Sequence, residues 1–107
     1  MDTLDLVWID VGALDAVPRQ GARVVKTAKG DLAIFRTLDD AVFAIDDRCP
    51  HKGGPLSQGI VHGHAVTCPL HNWVIDLDSG EAAAPDRGCV RRVPARLEDG
   101  RILILAS

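Results

Sequence analysis

The sequence contains no tyrosine, and Trp8, Phe35, Phe43 and Trp73 are its entire aromatic complement. A core this poor in rings must rest on Val, Ile, Leu and Ala, and the β-branched members of that set favour strands. A dense run of lysine and arginine is also missing. With a formal net charge of −3, the chain lacks the basic stripe that a nucleic-acid partner would require. No stretch approaches the ~20 apolar residues of a membrane span. The opening Met1-Asp2-Thr3-Leu4-Asp5 is acidic where a secretory signal is positively charged, so a cytoplasmic protein is expected. There is no Ser–His–Asp arrangement, phosphate-binding glycine loop or dinucleotide fingerprint. At 107 residues the chain fits a single domain, 1–107, with a modest core.

What is present reads as short strands between turn signals. Ala22–Thr27 and Asp31–Leu38 flank a turn at Lys29-Gly30, and Ala41–Asp46 follows Asp39-Asp40. Ala65–Cys68 and Asn72–Leu77 come next, with a turn at Asp78-Ser79-Gly80. Trp73, Ile75 and Leu77 alternate with Asp76 and Asp78, the period of a half-buried antiparallel strand. Val90–Leu97 and Arg101–Ala106 form a hairpin across Asp99-Gly100, a pair that suits a type I′ turn. Pro94 predicts an edge strand or bulge in the first of these. The single helical expectation is a short turn at Val11 to Ala16, capped by Asp10 and ended by Pro18. The pattern is that of a small all-β sandwich or barrel, with loops at Cys49–Gly59 and Pro69–Asn72.

Those loops carry the chemistry. The three cysteines are an odd number, and in a reducing compartment cysteine beside histidine points to metal. Residues 49–55 read CPHKGGP and residues 68–73 read CPLHNW, so Cys49 and His51 face Cys68 and His71. Each loop supplies one thiolate and one imidazole. That symmetry suits a [2Fe–2S] cluster with both cysteines on one iron and both histidines on the other. Two thiolates and two neutral imidazoles leave the oxidised core formally neutral, which raises its potential above that of an all-cysteine cluster. Structural zinc also takes Cys₂His₂, although the Cys-x-His spacing is short for common zinc fingers. Pro50, Pro55 and Pro69 stiffen the loops; Gly53 and Gly54 allow close backbone approach.

The chain resembles Rieske ferredoxins through CPHKGGPLSQG and CPLHNW. It resembles most closely the family of small subunits of assimilatory NAD(P)H-dependent nitrite reductases, through His71-Asn72-Trp73, DLDSGEA (76–82), PDRGC (85–89) and the closing EDGRILI. The resemblance implies an antiparallel β-sandwich with a small cluster-binding subdomain, its loops within 46–78. It also implies one Rieske-type cluster per chain held by Cys49, His51, Cys68 and His71. The chain would be an electron-carrying enzyme subunit without a substrate site of its own. Its partner would be a large subunit with flavin and sirohaem, taking nitrite to ammonium. Ferredoxins that feed ring-hydroxylating dioxygenases are the alternative, and they typically carry Gly where this chain has Asn72. High-potential Rieske proteins carry an extra disulfide and cluster-directed hydroxyls; the matching positions here are Gly54, Leu70, Trp73 and Ile75, which implies a potential below zero on the hydrogen scale.

Among the remaining residues, Cys89 is expected as a buried free thiol, and His62 and His64 as exposed turn residues. Trp73 is expected to pack in the core, with a shield over the cluster as the alternative. Arg87, Arg91, Arg92 and Arg96 are expected on a solvated strand face or a docking surface.

Overall fold

The computed structural model describes residues 6–27, 29–50, 53–70, 72–84 and 86–106. Its elements are strands β1 (Val7–Ala13), β2 (Gly21–Thr27), β3 (Gly30–Arg36), β4 (Val42–Asp46), β5 (Ile60–His62), β6 (Ala65–Thr67), β7 (Val74–Asp76), β8 (Arg92–Val93), β9 (Ala95–Glu98) and β10 (Arg101–Ala106). Two 3₁₀ turns, Leu14–Ala16 and Leu56–Gln58, are the only helical pieces among the described residues. All strand pairs are antiparallel. They form three sheets in the orders β1-β10-β9, β2-β3-β4-β8 and β5-β6-β7.

The apolar run Leu32-Ala33-Ile34-Phe35 explains the stacking of these sheets. Successive strand residues point to opposite faces, and all four are buried, so β3 is covered on both sides. Leu32 and Ile34 join Ala44, Val93, Ile102 and Ile104 in one core, against the β1-β10-β9 sheet. Ala33 and Phe35 join Ile45, Val61, Val66, Ile75 and Leu77 in the other, against the β5-β6-β7 sheet. The middle sheet is thus the floor of a small subdomain formed by β5–β7 and the loops around them.

Several expectations hold. Ile75 and Leu77 are buried while Asp76 and Asp78 are exposed, as the alternation required. Asp99 (φ 51°) and Gly100 (φ 76°) both occupy the left-handed region, which a type I′ turn demands. Gly30, expected within the first hairpin turn, is instead the first residue of β3 and pairs with Thr27.

Other expectations are corrected. The helical turn capped by Asp10 is instead the end of β1, with a bulge between Asp10 and Gly12. Asp10 accepts the Gly12 N–H (2.9 Å) and pairs with Arg101 (3.0 Å), and only Leu14–Ala16 coils, without a side-chain cap. The run Val90–Leu97 is not one strand. It breaks at Pro94, so β8 pairs with β4 in the middle sheet and β9 with β10 in the outer one. Strand β5, Ile60–His62, is an addition to the expected strands.

Candidate metal centre

Each loop of the motif is closed by its own cysteine. The Cys49 N–H donates to the Gly54 carbonyl (2.8 Å), and the Gly53 N–H donates back to the Cys49 carbonyl (2.8 Å). In the second loop the Cys68 N–H donates to the Trp73 carbonyl (2.7 Å). Both cysteines are buried in the same apolar cluster, which also holds Phe35, Leu56 and Leu77. The structure therefore brings Cys49 and Cys68 into one core; His51 and His71, one within each closed loop, lie outside the described residues. Among the described residues alone, which include the two cysteines but neither motif histidine, no set of three or more His, Cys, Asp or Glu is arranged to hold a metal ion.

The buried cysteine pair fits a cluster. A Cβ on Gly54 would stand 3.0 Å from the Cys68 Sγ and 3.0 Å from Leu70 Cδ1, so glycine keeps a close approach open at the sulfur. The Leu70 N–H points at the Cys68 Sγ (3.4 Å), a contact that stabilises negative charge on a thiolate. Asn72 has φ 58°, and Gly53 has φ 70°. A left-handed residue just after the second histidine is tolerated by asparagine as well as glycine. Asn72 is thus a backbone choice and discriminates poorly between partner types.

A third segment braces both loops. A Cβ on Gly88 (φ 147°) would stand 3.1 Å from Pro50 Cβ and 3.6 Å from Trp73 Cζ3. Trp73, partly buried, packs against the core cluster that holds both cysteines, in line with the core-packing reading. Pro85 lies outside the described residues. Cys89 is exposed, not buried as expected, because it is Val90 that turns into the core. Arg87, Arg91, Arg92 and Arg96 are exposed; Arg91 binds Asp46 (2.8 Å), and Arg96 binds Glu98 (3.1 Å) and stacks on Trp8.

His64 was the least legible residue. It sits in the β5–β6 turn with Nε2 3.1 Å from Asp39 and Nδ1 3.2 Å from Asp78, its ring edge against Phe43. Asp39 belongs to the turn between β3 and β4, so this contact ties the middle sheet to the subdomain. A neutral imidazole has one N–H and can donate to only one carboxylate; two carboxylates call for imidazolium. Hydrogen bonds donated to Asp39 first, then to Asp78, hold the His64 pKa above its ordinary value. Asp39 is held below the usual carboxylate range by Thr37 and then His64. His62, by contrast, is exposed and contacts Thr67 (2.7 Å).

Residues 7–94 match the Rieske [2Fe-2S] domain. The chain is 34% identical over 96 residues to the anthranilate 1,2-dioxygenase ferredoxin subunit of Burkholderia cepacia, covering 89% of this chain and 88% of that one. It is 35% identical over 99 residues to the 3-phenylpropionate/cinnamic acid dioxygenase ferredoxin subunit of Photorhabdus laumondii subsp. laumondii, covering 91% and 92%. Among solved structures it is similar to a Mycobacterium tuberculosis protein assigned as an NADH-dependent nitrite reductase small subunit, with TM-score 0.84 and 28% identity, covering 95% and 96%. With its all-β architecture and paired cysteine loops, the chain belongs to the Rieske [2Fe-2S] domain family and carries a Rieske-type cluster as an electron-transfer protein.

Proposed function

We propose that this single-domain chain is the electron-carrying small subunit of a cytoplasmic assimilatory NAD(P)H-dependent nitrite reductase. Cys49 and Cys68 would hold one iron of the cluster, and His51 and His71 the other. The cluster supplies one-electron transfer; the chain supplies a buried thiolate pair, the Leu70 N–H at one sulfur and a braced pair of loops. The observation that carries the partner assignment is the segment ending in Gly88-Cys89. It bears the narrower resemblance, and it lies against Pro50 and Trp73 in the two motif loops. Nitrite chemistry would take place on a large subunit with flavin and sirohaem, since this chain lacks dinucleotide and substrate motifs.

Co-expression and co-purification test this reading. The expected result is a complex with a flavin- and sirohaem-containing protein whose NAD(P)H-dependent nitrite reduction falls when this chain is removed. Unchanged nitrite reduction without it would reject the assignment. The second reading, a freestanding ferredoxin for a ring-hydroxylating dioxygenase, is favoured by the identity to two dioxygenase ferredoxin subunits. Under that reading, a flavin reductase of a dioxygenase system would reduce the purified protein, which would then support aromatic hydroxylation.

A further inference from the structure

Beside the first motif loop runs an open groove of about 480 Å³, lined by Asp46, Arg48, Cys49 and Gly53 together with Cys89 and Arg91. Its charge runs against that of the chain. The whole protein carries −3, yet the groove is lined by Arg48 and Arg91 against Asp46 alone, and the adjoining residues 86–92 hold Arg87, Arg91 and Arg92 against Asp86 alone, a local +2. Arginines elsewhere are committed: Arg19 to Asp40, Arg96 to Glu98, Arg101 to Asp10, and Arg23 to the Val11 carbonyl. At the groove, Arg91 neutralises Asp46 through Nε (3.0 Å) and Nη2 (2.8 Å). Asp47, the next carboxylate, is occupied by the Ser57 N–H and hydroxyl, both 2.7 Å away. Arg48 lies over Gly53, its Nε 3.3 Å from where a Cβ would stand. Neither Arg48 nor Arg87 has a carboxylate within ion-pair reach among the described residues.

Guanidinium groups held without carboxylates, next to a redox loop on an acidic protein, are suited to meeting carboxylates on another surface. We propose that this groove is the docking surface for an acidic segment, closely spaced Asp and Glu side chains, on the protein with which the chain exchanges electrons. The proposal deepens the function proposed above and rests on its reading of the chain as a partner-dependent electron carrier. The local cationic field would draw the motif-loop end of the molecule toward the acidic partner while the net charge repels other approaches.

A decaglutamate peptide and ferricyanide test it on the cluster-loaded protein. Calorimetry should show saturable decaglutamate binding that weakens about tenfold in the Arg48→Glu/Arg87→Glu variant, whose visible spectrum is unchanged. Arg87→Glu alone, which leaves the sequence next to Cys49 intact, should weaken it in the same direction. Electron transfer to the ferricyanide trianion should slow as salt rises, the sign of attraction, whereas a uniform −3 surface would make it quicken. The double variant should reverse that slope. Absent binding, equal binding by the variants, equal binding of a single-stranded DNA decamer, or a wild-type rate that rises with salt would each overturn the proposal. Neither measurement involves a large subunit. A protein that binds decaglutamate but supports no nitrite reduction would therefore reject the partner assignment and leave the groove standing.

Discussion

Gly54 and Leu70 meet across the two motif loops, with the Cβ position of residue 54 only 3.0 Å from Leu70 Cδ1 and from the Cys68 Sγ. These are the positions at which high-potential Rieske proteins carry a disulfide, which Gly54 and Leu70 cannot form. Trp73 and Ile75 stand where those proteins place hydroxyls near the cluster. With fewer hydrogen bonds to the sulfurs, reduction is less favoured. The midpoint potential, measured by protein-film voltammetry, is expected below zero on the hydrogen scale; a value well above zero would contradict this account.

Gly88 takes φ 147° and leaves only 3.1 Å between a Cβ and Pro50. An alanine there would be strained in its backbone and would push on the first motif loop. Gly88→Ala is expected to lower stability by about 1–3 kcal/mol and to shift the visible spectrum of the cluster. Denaturant unfolding checks the first effect and absorbance the second. An unchanged spectrum would show that the segment does not brace the loops.

The contact of His64 with Asp39 and Asp78 makes stability depend on pH in a defined direction. Because the folded pKa is raised, its stabilisation is complete below the unfolded value of about 6.5 and is lost as pH rises through the folded value. Asp39, whose pKa is lowered, contributes above its unfolded value and loses that contribution as pH falls through the folded one. Wild type should therefore exceed His64→Gln in stability near pH 6, and the gap should close in alkaline solution. Nitrogen NMR should find both ring nitrogens of His64 protonated at pH 6. A pH-independent gap would contradict the imidazolium assignment.

Arg36 is nearly buried and donates to the carbonyls of Val17 (2.9 Å) and Leu14 (3.3 Å), and from Nε to Asp40 (2.9 Å). Arg36→Met keeps much of the apolar stem but strips the Val17 carbonyl of its donor. The expected cost is about 2–3 kcal/mol in urea unfolding. A loss below ~0.5 kcal/mol would mean that water replaces the guanidinium.

The fold and the site were unequally legible in the sequence. Asp99-Gly100 and the alternation of Trp73, Ile75 and Leu77 with aspartates announced their structures because each depends on neighbours a few residues away. Strand β1 did not: its partner is β10, where Val7 meets Ala106, and the Gly12 bulge interrupts its pattern. Pro94 signalled an irregularity, but only the three-dimensional structure shows that the chain changes sheets there. The cysteines of the site were legible from spacing and are found buried together. His64 was not, because its significance depends on Asp39 and Asp78 arriving from two other turns. Cys89 misled for a similar reason, since the burial of Val90 dictates which neighbour faces outward.

Pulsed electron paramagnetic resonance of the reduced protein reads the cluster's ligands, two cysteines and two histidines as proposed. The expected result is magnetic coupling of the cluster to nitrogens of two imidazoles, with one coupling lost in His51→Cys or His71→Cys. An all-thiolate signal without imidazole coupling, or a colourless protein containing zinc, would contradict it.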